Sequence, residues 1–172
     1  MSAQVDRFVH DRLPPAAQLP VFRYDLPELQ FPDQLNLVEE LLDRPGARAF
    51  GDGPMLRSPA GVLTYAQAGV EVNRIAQVLV EDLGLVPGNR VLLRGGNSVW
   101  MALSWLAVVK AGLIAVATMP LLRAKELGEI IEKSQPVAAL CEGRLLEELV
   151  AAQQAHPVLA TVIAFNQPDA PD

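Results

Sequence analysis

Residues 90–122, RVLLRGGNSVWMALSWLAVVKAGLIAVATMPLL, hold two short aliphatic runs separated by a longer apolar one. The first, 90–93, is closed by Gly95-Gly96, and the second, 113–118, opens after Gly112 and stops before Pro120. Both have the composition of strands buried on two faces. Between them, residues 99–111 are apolar on every side except at Ser104 and Lys110. Asn97 or Ser98 is placed to cap the start of this helix, and Gly112 to supply the left-handed residue after its end. Such a helix is expected to be covered all round. A strand, crossover helix and strand of these lengths form a parallel, right-handed unit, so the fold class is α/β.

Residues 99–122 are also long enough to cross a bilayer. Lys110 near the centre would cost about 2.5–3.5 kcal/mol on insertion scales, Gly112 interrupts the helix, and no basic cluster flanks it, so no membrane span is expected. The chain has 172 residues, 51% hydrophobic and 20% charged, which is a globular composition able to bury a sizeable core. Its net charge of −6 includes no Lys/Arg block that could follow a phosphate backbone, so nucleic acid is not an expected partner. A single cysteine, Cys141, excludes an internal disulfide. With His10 and His156 it leaves no cluster at metal-ligand spacing. The start of the chain has no apolar leader after its methionine, and the expected location is cytoplasmic.

Residues 1–33 carry Pro14, Pro15, Pro20, Pro27 and Pro32, a spacing that forbids a long helix or a central strand. A short helix before the first Pro pair would place Val5, Phe8, Val9 and Arg12 on one side. The remainder reads as an extended arm whose Phe22, Tyr24, Leu26, Leu29 and Phe31 lay it along a surface. Asn36 and Glu39 have the form of a cap with a returning acidic residue, leading a short amphipathic helix that Pro45-Gly46 ends. Residues 48–50, 55–57 and 62–63 are extended pieces of a small antiparallel ribbon. Gly51-Asp52-Gly53 is a turn, since the third glycine of a dinucleotide loop is missing and no helix opens directly after it.

Thr64 with Gln67 is a capping box, and the helix it starts runs to about Leu83, burying Ala68, Val72, Ile75, Leu79 and Leu83. Beyond Leu122 the pattern is helix 124–134, strand 137–141, helix 144–155 and strand 160–165. The division is therefore an arm at 1–33, an α/β subdomain at 34–165, and a polar, Pro-rich linker or loop at 166–172.

The sequence supplies no catalytic constellation of its own: no phosphate loop ending in Lys-Ser/Thr, no nucleophile elbow, and no sequence-adjacent Cys/His pair. Gly95-Gly96-Asn97-Ser98 could present backbone N–H groups to a phosphate, though its plainer reading is a tight turn with a helix cap. Lys110 could be a desolvated catalytic lysine, but it sits in the last helical turn, where the dipole favours a cation and its stem can carry the ammonium to water. Cys141 reads as a small core residue, and Trp100 and Trp105 as packing.

Three stretches in order carry a resemblance. Leu63-Thr64-Tyr65 before the long helix resembles the first core motif of the adenylate-forming acyl-CoA synthetases. Val109-Lys110-Ala111-Gly112, a strand and Met119-Pro120-Leu121-Leu122 resemble the second. Residues 123–127 and 130–134 resemble the helix that follows. Within that family, DRFVHDRLPP, LPELQFPDQLNLVEELLDR, VLVEDLGLVPGNRVLLRG and ATMPLLRAKEL look most like benzoate and 2-aminobenzoate-CoA ligases. The resemblance implies the N-terminal part of the large domain of an ATP-dependent, AMP-forming ligase. ATP, Mg2+ and coenzyme A would be its cofactors and co-substrates, and an aromatic carboxylic acid its substrate. The family's phosphate loop, adenine and ribose motifs and catalytic lysine have no counterpart here. No catalytic, cofactor-binding or metal-binding residue is therefore carried over, and the segment by itself is expected to be inactive. Lys110, Gly112 and Pro120 are expected to hold the scaffold together. A partly uncovered sheet is expected to leave apolar surface through which the segment could form a homodimer. The alternatives are a free-standing α/β binding or interaction protein derived from such a ligase, or a small nucleotide-binding regulator acting through residues 95–98.

Overall fold

The computed structural model describes residues 3–44 and 49–166. Two short strands, β1 (Pro54–Ser58) and β2 (Gly61–Thr64), pair antiparallel ahead of the first long helix. The third extended piece expected in this ribbon does not form: Ala49 and Phe50 lie in a turn, closed where the Gly53 N–H donates to the Phe50 carbonyl, and Arg48 and the Pro45-Gly46 stop lie outside the described residues. The carbonyls of Gly51 and Gly53 accept from the N–H groups of Ala66 and Tyr65, so Gly51-Asp52-Gly53 braces a helix start.

That helix, α1 (Tyr65–Gln77), opens with the predicted capping box. Thr64 Oγ1 accepts from the Gln67 N–H at 3.2 Å, and Gln67 Oε1 accepts from the Thr64 N–H at 2.9 Å. It continues through a π-helical turn, Val78–Asp82, and stops at Gly84, φ +63°. Ala68, Val72 and Leu79 are fully buried.

The chain then alternates β3 (Arg90–Arg94), α2 (Val99–Lys110), β4 (Ile114–Thr118), α3 (Ala124–Ser134), β5 (Ala138–Glu142), α4 (Leu146–Ala155) and β6 (Thr161–Phe165). The last four strands form one sheet, paired parallel throughout, in the order β4-β3-β5-β6. Strand residues alternate between two cores. Val91, Leu93, Ala138 and Leu140 pack with α1 and α2, whereas Leu92, Ala139 and Cys141 pack with α3 and α4. Helices therefore cover both faces of the sheet, the arrangement that a near-continuous run of apolar strand residues requires. Buried side chains such as Leu92, Leu127 and Leu149, at 0% exposure, each contribute about 1.5–3 kcal/mol of burial. Gly112, φ +72°, follows α2 as expected, and a Cβ there would meet the Pro87 ring at 3.3 Å.

Three helices depart in part from expectation. Helix α2 is not covered all round: Leu103, Leu106, Ala107 and Val108 are buried, but Trp100 and Trp105 are 42% and 39% exposed on its outer side. The short helix after Asn36 forms over 37–43, capped by Asn36 Oδ1 accepting from the N–H groups of Val38 and Glu39, but closes as a π-helical turn, Glu39–Asp43. Its Val38 and Leu42 pack outside α1 and α2. The helix expected before Pro14 reduces to a 3-10 turn, His10–Arg12.

The arm is anchored at its first residues. The N–H groups of Val5 and Asp6 donate to the Pro87 carbonyl, and the Asp6 carboxylate accepts from Asn89 Nδ2 at 2.8 Å and from the buried Arg90 guanidinium. The guanidinium carbons of Arg12 and Arg90 stand over the Phe8 ring, 3.7 and 4.3 Å from its centroid. Gly88 makes the approach possible: at φ +93°, a Cβ would stand 2.2 Å from the Asp6 carbonyl oxygen. Further on, Phe22, Tyr24 and Phe31 pack on one another, with centroid separations of 6.3 and 6.0 Å, and stay at least half exposed.

Candidate functional site

The strand order fixes where a ligand crevice would lie. From β3 the chain crosses by α2 to β4 on one side, and from β5 by α4 to β6 on the other. The carboxyl ends of β3 and β5 are thus a topological switch point, the place where open α/β sheets take ligands. Residues 95–98 and 143–145 border it.

At this edge Ser98 caps α2, its Oγ accepting from the Met101 N–H at 3.1 Å. The Gly96 N–H donates to Glu142 Oε2 at 2.9 Å, and Arg144 donates to both oxygens of the same carboxylate, at 2.8 and 3.1 Å. A carboxylate of the chain itself thus takes the Gly96 amide that a phosphate would use. The Arg144 hydrogen bonds hold Glu142 below the ordinary glutamate range; burial opposes this and the Gly96 N–H adds to it. The glycines answer to packing, since a Cβ on Gly95 would meet the Phe165 ring at 3.0 Å and one on Gly96 the Arg144 guanidinium at 3.0 Å.

Arg94 ends β3 at 1% exposure and faces α3 and α4. It donates to the carbonyls of Met119 (3.1 Å), Pro120 (3.2 Å), Leu122 (2.8 Å) and Leu145 (3.2 Å). Burial lowers its pKa from the usual arginine value. Cys141 lies on the same face, fully buried, and burial pushes its thiol up to about 11. Such a thiol is not a thiolate at neutral pH and is unsuited to attack.

Lys110 stands at the other end of α2. Its ammonium does not run out to water as expected: Nζ donates to Asp43 Oδ2 at 2.6 Å, and its carbonyl accepts from Asn36 Nδ2 at 2.9 Å. The structure thus brings two sequence candidates, residues 95–98 and Cys141, to the switch point and sends Lys110 away from it. Sequence reasoning missed Arg94, Glu142 and Arg144; the signal available was a charged residue ending an otherwise aliphatic strand run.

Among the spaces that open at this edge are a cleft and a smaller cavity. The cleft, of about 700 Å³, lies between the β1–β2 turn, residues 97–100 and Asn166, and Trp100 forms part of its wall. The cavity, of about 260 Å³, lies between the loops after β4 and β5, with Arg94, Leu121 and Leu145 among its lining. Among the described residues no group of three His, Cys, Asp or Glu gathers as a metal site would require. Among them also, no helix is long and apolar enough to cross a membrane.

Residues 43–172 match the AMP-binding enzyme family. Among curated proteins, the chain is 34% identical over 147 residues to the salicyl-AMP ligase / salicyl-S-ArCP synthetase of Mycobacterium tuberculosis, covering 81% of this chain and 23% of that protein. It is 26% identical over 120 residues to the benzoate–CoA ligase of Thauera aromatica, covering 70% and 23%. Among solved structures, the anthranilate CoA ligase AuaEII in complex with anthranoyl-AMP superposes with a TM-score of 0.73 at 24% identity, over 78% of this chain and 26% of that one. A benzoate CoA ligase from Burkholderia xenovorans gives 0.70 at 21%, over 80% and 27%. At these identities the likeness is one of fold. The chain spans about a quarter of the length of these relatives.

Proposed function

The chain belongs to the AMP-binding enzyme family, and on that premise we propose that it is the N-terminal segment of an aryl-acid ligase of the benzoate or 2-aminobenzoate type. The observation that carries the aryl reading is the 34% identity to an enzyme named for salicyl-AMP formation. In the proposed reaction a carboxylate oxygen of the acid attacks the α-phosphorus of ATP. Pyrophosphate leaves and an acyl-adenylate remains. The coenzyme A thiol then attacks the acyl carbon, AMP departs with the bond electrons, and the thiol proton passes to solvent.

This segment contributes scaffold to that reaction. We assign no catalytic, nucleotide-binding or metal-binding residue within residues 1–172. The candidates argue for support: Gly96 is held by Glu142, Cys141 is a buried thiol and Lys110 is paired with Asp43. Among the described residues no group of three His, Cys, Asp or Glu side chains gathers to hold Mg2+. The proposed division is an arm at 1–33, an incomplete α/β subdomain at 34–165 and a loop at 166–172.

The test is ATP–pyrophosphate exchange with a panel of aryl acids, run on the 172-residue chain and on the product of the uninterrupted reading frame. Exchange in the longer product alone supports the reading and identifies the acid. Exchange in the short chain overturns the scaffold assignment, and silence in both favours a binding protein built on the same fold.

A further inference from the structure

We infer that an open groove between α1, α2 and β6 is the seat of polypeptide continuing beyond Asp172, which lays a side chain with an apolar body and a hydrogen-bonding tip over Ser104. The inference rests on the aryl-ligase reading above, in which these residues are the first part of a longer chain.

The buried polar side chains Arg90, Arg94 and Thr118 all donate to backbone carbonyls, Thr118 Oγ1 to that of Leu93 at 3.1 Å. Ser104, in the middle of α2 and 3% exposed, makes no hydrogen bond among the described residues. Ser134 takes the usual recourse of a helical serine, its hydroxyl donating to the Ile130 carbonyl at 2.6 Å, and Ser104 does not. Among the described residues no fully sealed side-chain nitrogen or oxygen lacks a partner. The Ser104 hydroxyl therefore keeps a narrow access, and the space it lines is a groove of about 210 Å³. The other walls are apolar, with Ile75 and Val78 on one side, Trp100 on another, and Ile163 and Phe165 from β6. At about 30 Å³ per water, solvent in this groove would set several waters against apolar walls with one hydroxyl to bond. An apolar group with a polar tip fits it better.

Position selects the occupant. Strand β6 is the last in the sheet order and is partly exposed throughout. Phe165, its final residue, is part of the groove wall, so chain leaving β6 starts at the rim. A segment tethered there by a short flexible link acts at an effective concentration of about millimolar, far above a second copy at micromolar levels. This chain spans about a quarter of its relatives, so proteins of their length have ample polypeptide to supply such a segment. Handedness narrows its path. Helix α4 crosses outward from β5 to β6 on the α3 side of the sheet, and another right-handed step outward would put its helix on that same side. The covering segment therefore turns back over the side of α1 and α2.

The test compares the 172-residue chain, diluted until its signals stop changing, with the product of the uninterrupted reading frame. Both carry Trp105→Phe, which leaves Trp100 as the only tryptophan of residues 1–172. Acrylamide quenching of Trp100 is expected to fall about threefold or more in the longer product. In the two wild-type chains, amide exchange along β6, relative to that of β3, is expected to be about tenfold slower in the longer one. Ser104→Ala is expected to leave β6 exchange within about twofold in the short chain, where the hydroxyl has no partner. In the longer product, where a partner is stranded, it is expected to speed exchange about fivefold. Equal quenching and equal exchange in the two chains overturn the proposal, as does a reading frame that stops after Asp172. Protection that grows with concentration in the short chain and is absent from the diluted longer product assigns the groove to a second copy and overturns it. Protection of the longer product only when phenol is added assigns the groove to a small aromatic ligand and also overturns it. If Trp105→Phe does not fold, the wild-type exchange decides alone. Unchanged exchange in the longer Ser104→Ala product refutes the contact over Ser104. Acid-dependent pyrophosphate exchange without protection of Trp100 removes this inference and leaves the ligase reading; protection without such exchange does the reverse.

Discussion

Asp6 shows how a single side chain can be decided by residues far along the chain. Burial alone would raise its pKa, but the Phe8 N–H, the Arg90 guanidinium and the Asn89 amide together bring it below the ordinary value of 3.8. A carboxyl lowered on folding contributes stability that is complete above its unfolded pKa and is lost as the pH falls through its folded one. The difference in unfolding free energy between wild type and Asp6→Asn should therefore be constant above about pH 5 and shrink below pH ~4, as read by denaturant titration across pH. A difference that instead persists unchanged into strong acid would mean the carboxylate is not what holds the arm. None of this was legible in the sequence, because Asp6 and Arg90 are 84 positions apart. Lys110 was half legible: its place at a helix end could be read, but its partner Asp43, 67 positions away, could not. Cys141 was read correctly as a core residue from its apolar neighbours alone.

Elements were easier to read than residues, because periodicity is local. The capping box at Thr64 needs just four consecutive positions, and it forms as predicted. Thr64→Ala should cost about 1 kcal/mol in chemical unfolding with no change in denaturant slope; a neutral result would show that the Gly51 and Gly53 carbonyls already suffice to start α1. The wide turns were illegible. The Leu83 N–H donates to the Val78 carbonyl and the Arg44 N–H to the Glu39 carbonyl, five-residue spacings that insert one residue at a helix end. A 3.6-residue pattern cannot reveal a single extra residue in a last turn. The covering of α2 was overread for a related reason. Its composition is apolar throughout, but composition does not say whether the surface meeting Trp100 and Trp105 is in the same segment.

At the scale of the whole molecule the sheet has two half-open edges. All five residues of β6 are partly exposed, and the strand, Thr-Val-Ile-Ala-Phe, carries none of the charges or prolines that natural edges use to refuse a partner. Ile163 and Phe165 also line an apolar groove of about 210 Å³ with Trp100 and Leu79. The 172-residue chain is therefore expected to self-associate at micromolar concentration, seen as concentration-dependent sedimentation, and Ile163→Lys to return it to a monomer with its circular dichroism retained. A wild-type monomer at every concentration would mean this edge is closed in some other way. The parallel sheet itself was legible from alternating strand and helix signals; its order was not, since spacing along the chain does not say on which side of β3 each later strand lands. The arm adds a matter of timing. A ribosome releases residues 5–8 long before it makes Pro87 and Gly88, so this stretch must wait for its partners until the small ribbon and the whole of α1 have been built behind it. The clasp at residues 5 and 6 thus becomes possible only once synthesis has reached Arg90, ahead of every contact made by the strands and helices that follow β3.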